Sequence, residues 1–215
     1  ALAVAGIGLI VLIARAPQLL RRIEHFAVER VQVEGTRYLA PHEALERSGI
    51  DSDSSVFDDG GPWRDALLAH PLIEDARIER RLPNTLVVTV TEVEPVALAP
   101  TPTLRPVDRR GVVLPIEPAQ ASMDLPILEL EVGVDSAGRL EDPAAVVLIH
   151  ELERLRRLAP SFAARVSEIG RAADDAVRIM LREPAGTEVL LPLEAGVDRL
   201  GQLERTLEDL GTRDD

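Results

Sequence analysis

The sequence contains no cysteine and no lysine in its 215 residues, and aromatic side chains make up only 2% of it. Without cysteine there is no thiol nucleophile, no disulfide and no thiolate-bound metal. Without lysine there is no Schiff-base chemistry and no phosphate loop of the Walker type, because both need that amine. These absences exclude several classes of enzyme and leave the cellular compartment open.

Positive charge is also scarce. All 24 basic residues are arginine, they stand against 37 Asp and Glu, and the formal net charge is −13 at pH 7. Binding to nucleic acid depends on a basic face that neutralises phosphates, and adhesion to anionic lipid depends on a basic patch. The composition therefore predicts no nucleic-acid partner and no electrostatic attachment to a membrane.

The motifs of metal and cofactor chemistry are missing as well. Residues 51–62 imitate the first positions of a calcium loop, but Val56 stands where the sharp turn needs glycine and Pro62 where a bidentate Glu should lie. No serine lies in a G-x-S-x-G elbow, and the glycine pairs follow no dinucleotide fingerprint. We expect no catalytic residue, metal, cofactor or small-molecule substrate, and four histidines lack the spacing of metal ligands: His25, His42, His70 and His150.

One apolar run stands at the N-terminus, where residues 1–14 carry no charge. A membrane-spanning helix needs about 20 apolar residues, so this run would be the distal part of one. We expect residues 1–24 to form a membrane anchor and juxtamembrane segment, and we expect upstream residues to be missing because the chain opens on Ala. A buried helix or the apolar part of a signal peptide are the alternatives, and the following arginines leave the orientation open: Arg15, Arg21 and Arg22.

Between residues 27 and 94 the patterns predict strand, helix, helix, strand and strand. Val31 and Val33 alternate with polar residues, as in a half-buried strand. Pro41 suits the first turn of a helix, and Gly49 suits the residue just past its end. The other expected elements are a helix from Pro62 to His70-Pro71, a strand from Asp75 to Arg81, a turn at Pro83 and Asn84, and a strand from Leu86 to Val93.

The second half of the chain predicts a mainly β region with flanking helices, so the fold class is α+β. Four prolines predict a break in regular structure between residues 95 and 106. An Asp-Pro pair at 142–143 predicts the start of a helix whose apolar face carries Leu148, Leu152 and Leu155. The other expected elements are a hairpin over 106–115, strands over 125–130, 166–169, 176–181 and 187–191, and a last helix with Leu200, Leu203, Leu207 and Leu210 on one face.

Four motifs of the first half occur together in one known family. They are V-Q-V-E-G at 31–35, P-L-I at 71–73, R-R-L-P-N-T-L at 80–86 and E-V-E-P-V-A at 92–97. This combination resembles a POTRA domain of the FtsQ/DivIB type, a module of two helices and three strands. The 80–86 motif alone is shared with the POTRA domains of outer-membrane assembly proteins.

The second half is similar to the same family. The similar segments are L-R-P-V-D-R-R-G-V-V-L-P at 104–115, M-D-L-P-I-L-E-L at 123–130, S-E-I at 167–169 and the helix at 197–210. The resemblance implies the anchor over 1–24, a POTRA domain over 25–95 and an FtsQ-type β domain over 96–215. The family pattern continues past the last helix into a further strand, so we expect a C-terminal strand to be missing.

The resemblance implies a non-enzymatic scaffold with a single pass through the cytoplasmic (inner) membrane. Its bulk would be extracytoplasmic, or periplasmic, at the division septum. The implied partners are FtsB and FtsL, together with proteins of the FtsW, FtsI and FtsK types, and the scaffold would link early and late division proteins. A POTRA-type periplasmic chaperone for outer-membrane protein assembly or secretion stays open as the alternative, and an enzyme is the third hypothesis.

Strand addition is the physical route by which such a scaffold would bind other chains. An edge strand offers unpaired N–H and C=O groups to an extended partner. The order of elements predicts a three-stranded sheet with helices on one face and residues 75–81 at an accessible edge, where Arg77, Glu79 and Arg81 point outward. The expected partner-binding residues are Asp75, Arg77, Ile78 and Arg80 in the first domain and Val177, Ile179 and Leu181 in the second.

Overall fold

The structure is a computed structural model that describes residues 24–117 and 123–211. The chain divides into two compact units between Val93 and Glu94, and each unit is described by itself. The expected anchor over residues 1–24 lies outside the described residues, except for its last residue. Across the part of the chain that is described, no helix combines the length and the apolarity needed to cross a membrane.

The first unit has the order strand, helix, helix, strand, strand, as expected of a POTRA domain. After a 3-10 turn at Glu24–Phe26, its elements are β1 (Arg30–Glu34), α1 (Pro41–Ser48), α2 (Gly61–Leu68), β2 (Ile73–Arg81) and β3 (Thr85–Glu92). The central strand β3 pairs parallel with β1 and antiparallel with β2. The two outer strands of this sheet are therefore β1 and β2.

Local residue choices set the ends of these elements. Pro41 occupies the first turn of α1, and Gly49 follows its last residue with φ 73° in the left-handed region, which confirms both predictions. The turn predicted at Pro83 and Asn84 connects β2 to β3, and the Leu82–Pro83 peptide is cis. Proline and asparagine suit such corners because of the backbone conformations they favour.

Glu92 at the end of β3 holds the chain that leads into α1. Its Oε1 accepts hydrogen bonds from the backbone N–H groups of Arg37 and Leu39 at 2.9 Å, and its Oε2 accepts one from Tyr38 at 2.8 Å. Bonds from N–H groups to an ionised carboxylate are stronger than neutral ones. The first residue of the E-V-E-P-V-A motif thus joins segments that are more than 50 residues apart.

Within its described residues, the second unit consists of one six-stranded sheet and three helices. Its elements are β4 (Ala97–Thr101), β5 (Thr103–Val107), β6 (Ile127–Glu129), α3 (Pro143–Leu158), α4 (Pro160–Ala163), β7 (Val166–Arg171), β8 (Ala176–Leu181), β9 (Glu188–Pro192) and α5 (Val197–Gly211). The strand order is β5-β4-β6-β7-β8-β9, so β5 and β9 are its outer strands. The combination of helices and strands in the two units confirms the predicted α+β class.

The predicted break between residues 95 and 106 is wrong, because β4 and β5 form a hairpin there. Pro102 is the single residue between the paired Thr101 and Thr103. Pro106 lies on the outer strand β5, where a missing N–H disturbs no further strand. Pro100 lies in β4 beyond Leu98, the one residue of β4 that pairs with β6. Proline at these positions shapes the end of the sheet and does not interrupt it.

The tight turn predicted within 106–115 is built on a buried carboxylate. Asp108 is fully buried, and its Oδ1 accepts hydrogen bonds from the N–H groups of Arg110 at 2.9 Å and Val112 at 2.8 Å. Gly111 has φ 74°, which glycine adopts without strain. Val107 and Val113 pair across this turn, so the D-x-x-G-V-V motif encodes a self-contained corner.

The core of the second unit lies between the sheet and its helices. The Asp142 side chain accepts a hydrogen bond from the N–H of Ala144, which confirms the predicted cap of α3. The predicted leucine face of α3 is buried, and on α5 Leu200 and Leu207 are buried as well. The buried side chains of the sheet that share this core include Leu128, Val166, Ile169, Val177, Ile179, Leu181, Val189 and Leu191.

Candidate partner-binding edges

Strand β2 forms an outer edge of the first sheet, as the order of elements predicts. It pairs with β3 from Ile73 to Arg81, and no described strand lies beyond it. Arg77, Glu79 and Arg81 are exposed, whereas Ile78 is half-buried. Ile78 also lies beside the start of α2, since a Cβ placed on Gly60 would come within 3.9 Å of its Cβ.

Asp75 and Arg64 form an ion pair at this edge. Arg64 Nη2 donates to Asp75 Oδ1 at 2.8 Å, and Arg64 Nε donates to the backbone carbonyl oxygen of Ala76 at 2.9 Å. The hydrogen bond from Arg64, together with one from the backbone of Ala76, lowers the pKa of the Asp75 carboxyl below its ordinary value. Sequence reasoning missed Arg64, because no local pattern connects it to a strand 11 residues further on.

Arg80 lies at this edge, as expected, and it also contacts the loop before α2. Its Nε donates to the carbonyl oxygen of Val56 at 2.7 Å, and its Nη2 donates to that of Asp58 at 2.9 Å. The side chain therefore tethers the loop before α2 to the edge strand. Arg81 beside it donates to Gln32 Oε1 at 3.1 Å. Arg80 thus stabilises the fold of the first unit through these hydrogen bonds, in addition to lying at the proposed binding edge.

A shallow groove of about 390 Å³ runs along this part of β2. The adjacent glycines Gly60 and Gly61 leave it uncovered by side chains at the start of α2. The groove therefore brings together all four residues of the first unit that are expected to bind a partner. Its lining is Gly60, Gly61, Arg64, Asp75, Ala76, Arg77, Ile78 and Arg80.

In the second unit, the three residues expected to bind a partner lie in the core. Val177, Ile179 and Leu181 are at most 2% exposed, and β8 lies between β7 and β9. Alternating apolar residues point to one face of a strand, and here that face packs against the helices. A partner would not touch these side chains directly, which corrects the expectation that they form a contact surface.

The outer strand on that side is β9, which pairs with β8 and has no described strand on its other side. Val189 and Leu191 point into the core, whereas Leu190 between them is 61% exposed. On the same face of the sheet, Arg178 of β8 makes two hydrogen bonds with Glu129 of β6, at 2.7 and 3.1 Å. Leu190 therefore stands as an apolar side chain on an edge strand beside a charged pair.

Two family models match the chain. The model described as "POTRA domain, FtsQ-type" matches residues 26–92. The model described as "Cell division protein FtsQ/DivIB, C-terminal" matches residues 97–214, which is more than half of the chain. The chain belongs to the FtsQ/DivIB family. Its members are division scaffolds and not enzymes, so this chain is not an enzyme.

Curated relatives named "Cell division protein FtsQ" are similar over most of this FtsQ/DivIB chain. The protein from Thioalkalivibrio sp. is 33% identical over 89% of this chain and 75% of its own length. The protein from Syntrophotalea carbinolica is 29% identical over 99% of this chain and 76% of its own. The protein from Myxococcus fulvus is 29% identical over 87% and 66%. Family membership implies a membrane protein of the division site whose partners are cell division proteins.

A cleft of about 720 Å³ lies along α3 in the FtsQ/DivIB-type β domain. At its side Glu151 is buried and bonded to Arg154, whose Nη1 donates to the carbonyl oxygen of Ala195 at 2.6 Å. The hydrogen bonds that Arg154 donates to the Glu151 carboxylate raise the pKa of Arg154 above its ordinary value. Both signs of charge line the cleft, and among residues 24–117 and 123–211 no group of His, Asp and Glu is placed to hold a metal ion.

Proposed function

We propose that this FtsQ/DivIB chain is a bitopic scaffold of the bacterial division machinery, and that it links early and late division proteins through strand edges at the septum. The observation that supports this most directly is that β2 in the first sheet and β9 in the second are outer strands, with no described strand on their far side. Such edges accept an extended segment of another chain by main-chain hydrogen bonds. The domain boundaries that go with this proposal are 25–95 and 96–215.

The membrane part of the proposal rests on the uncharged run of residues 1–14. We assign it to a single helix in the cytoplasmic (inner) membrane, with the bulk of the chain extracytoplasmic, which is the periplasm in a host with two membranes. The family membership supports a membrane protein of the division site.

The proposed partners are FtsB and FtsL, followed by proteins of the FtsW, FtsI and FtsK types. Stable interfaces bury about 1,200 Å² or more, which one strand cannot supply alone. Side chains beside each edge must therefore contribute. On β2 these are Arg77 and Ile78, and on β9 the exposed Leu190 takes the place first expected of the buried β8 residues.

Localisation of a fluorescent fusion of the full-length protein through the cell cycle tests the scaffold proposal. We expect the signal to concentrate at mid-cell when the septum forms. A diffuse envelope signal throughout the cycle would exclude a division role and favour the POTRA-type chaperone of outer-membrane assembly.

A pull-down of division proteins tests the edge itself, with Ile78→Asp as the variant. A carboxylate at this half-buried position would repel an apolar partner side chain without removing a tether. Arg80→Glu also serves, but it breaks the bonds to Val56 and Asp58 as well, so Arg77→Glu is the cleaner charge reversal. Full recruitment of the division complex by Ile78→Asp and Arg77→Glu would remove β2 from the proposal.

A further inference from the structure

The direction of the backbone groups of β2 follows from the pairing of β3. Asn84 O accepts a hydrogen bond from Glu29 N–H of the β1 side at 2.9 Å, and a Cβ on Gly35 would lie 2.1 Å from Val90 O. Successive backbone groups of a strand point to opposite sides, so the even-numbered residues of β3 face β1 and the odd-numbered ones bond to β2. The β2 residues whose N–H and C=O groups point away from the sheet are those opposite the even ones: Ala76, Ile78 and Arg80.

One of these outward groups is already occupied. The carbonyl oxygen of Ala76 accepts the hydrogen bond from Arg64 Nε, and the same guanidinium is paired with Asp75. Both side chains of this pair are about half exposed, and ion pairs of that kind contribute little to stability. Arg64 is therefore a cap on the edge that a competing backbone N–H can displace.

The hairpin end of β2 is positively charged in a chain of net charge −13. Arg77 is exposed there, and Arg80 and Arg81 donate to uncharged oxygens, which leaves their charge uncompensated by those contacts. Glu79 is the acidic side chain among them. The other two acids of the strand, Glu74 and Asp75, lie at its far end, and Asp75 is paired with Arg64.

We propose that the β2 edge binds an extended, acidic segment of a partner protein, whose backbone pairs with Ile78 and displaces the Arg64 guanidinium from Ala76. This inference rests on the scaffold function proposed above, and it specifies the kind of partner segment that binds at the β2 edge. Side chains of an added strand alternate between faces, so one face of the segment carries carboxylates for the arginines. The other face carries an apolar residue for Ile78, in the groove that Gly60 and Gly61 leave open.

Three synthetic peptides probe this edge on the full 215-residue chain in detergent micelles. One alternates Val and Glu over seven residues, the second has Gln for each Glu, and the third is the Glu peptide with N-methyl groups on alternate amides. Backbone amide shifts of Ile78 and Arg80 report binding. We expect the Glu peptide to bind about tenfold more tightly than the Gln peptide at low salt, with the ratio shrinking as salt screens the charges.

The methylated peptide should not bind, because it lacks the N–H groups that strand pairing needs. Equal affinities for the Glu and Gln peptides would overturn the acidic preference. Binding of the methylated peptide, or shifts confined to residues outside β2, would overturn strand addition at this edge.

Two sets of variants separate the effect of the arginine charges from the effect of the Arg64 contact with the Ala76 carbonyl. Arg77→Glu with Arg81→Glu should abolish the preference for the Glu peptide, whereas Arg47→Glu on α1 is the matched control and should keep it. Arg64→Met should tighten binding of the uncharged Gln peptide, because the Ala76 carbonyl is then open. Unchanged or weaker binding of that peptide would contradict the cap.

The outcome is distinguishable from that of the scaffold proposal. If the fusion concentrates at the septum and the peptides show no charge preference, this inference alone fails. If the peptide results hold and the fusion stays diffuse, the edge binds acidic strands but the division role fails.

Discussion

The outer strands of the two sheets protect their backbone differently. On β2, Arg64 covers the Ala76 carbonyl and Arg80 ties a loop against the strand. On β9, Leu190 is exposed, and the neighbouring Arg178 is engaged with Glu129 on an inner strand. Charged side chains at an edge discourage unselective pairing. We infer that β2 selects its partner by charge, whereas β9 relies on apolar contact.

The two units also differ in how deeply they bury a carboxyl side chain that holds the fold together. The first unit has a half-buried carboxyl side chain, Glu92, which accepts hydrogen bonds from three backbone N–H groups of the chain before α1. The second unit places a carboxylate inside, where Glu151 is 4% exposed and depends on Arg154. Because solvent compensates a marginal group more easily than a buried one, the second arrangement should be the more sensitive to substitution.

The largest expected effect comes from Arg154→Ala in the second unit. This change leaves the Glu151 carboxylate buried without its partner and removes the bond to the Ala195 carbonyl. Breaking a buried ion pair on one side costs about 3–5 kcal/mol. Hydrogen exchange of the β7 and β8 amides measures the free energy of unfolding of this unit, since the single tryptophan, Trp63, belongs to the other.

Arg157→Ala is the matched control, since Arg157 is an exposed arginine on the same helix. It should lower the free energy of unfolding by less than about 0.5 kcal/mol. The double variant Glu151→Leu with Arg154→Met should recover most of the loss, because no buried charge remains. A small loss for Arg154→Ala alone would show that Glu151 reaches water and that the two units are less different than described.

The next effect in size is that of Glu92→Ala in the first unit. It removes the three hydrogen bonds that hold residues 37–39. We expect the free energy of unfolding to fall by about 2 kcal/mol. Each bond to a charged group contributes about 1.5–3 kcal/mol, but water replaces part of this at a half-buried site. Trp63 fluorescence during urea unfolding measures it. Glu94 lies two residues further on and is exposed, so Glu94→Ala should change the urea midpoint little. Equal losses of stability in the two variants would mean that the negative charge matters and the three hydrogen bonds of Glu92 do not.

A smaller effect is expected on binding at β9. Leu190→Asp should weaken binding of FtsB, the proposed partner, by about tenfold, or about 1.4 kcal/mol. It should not change stability, because the side chain is mostly exposed. Leu104→Asp is the control, since Leu104 is a 41% exposed leucine on β5 at the opposite edge of the same sheet. Surface plasmon resonance measures both, and an equal loss in the two variants would deny β9 its special role.

The sequence predicted the elements whose signals are local and missed those that depend on distant partners. Alternation at Val31 and Val33 and the caps of α1 and α3 identified strands and helices. Proline at 100 and 106 argued for a break, because a single sequence does not reveal which strand lies at an edge. The apolar alternation around Ile179 fits a core face and a binding face equally well, and burial alone separates them.

The same limit applies to the candidate site in the first unit. The edge position of β2 follows from the order of elements, and its exposed arginines follow from alternation. That Arg80 reaches Val56, 24 residues earlier, and that Arg64 covers Ala76 are consequences of how α2 packs on the sheet. Helix packing depends on the whole core, so no short motif predicts these contacts.

The smallest effect expected is a dependence of the stability of the first unit on pH. Burial lowers the pKa of His70 below its ordinary value of 6.5; Arg47 lowers it further, and Glu43 and Glu92 raise it. Its Nδ1 accepts a hydrogen bond from Leu72 N–H at 3.2 Å, which requires the neutral ring. The unfolded chain therefore binds the proton more tightly than the folded one, so stability is complete above pH 6.5 and declines as the pH falls below it.

Urea unfolding followed by Trp63 at a series of pH values between 7.5 and 5 measures this dependence. His70→Gln should flatten the decline, and His42→Gln, with an exposed histidine on α1, should keep it. The comparison uses slopes with pH, so any constant loss of packing in His70→Gln cancels. An equal slope in wild type and His70→Gln would mean that the carboxylates around α1 carry the dependence. The buried imidazole of His70 would then not be the cause of the pH dependence of stability in the first unit.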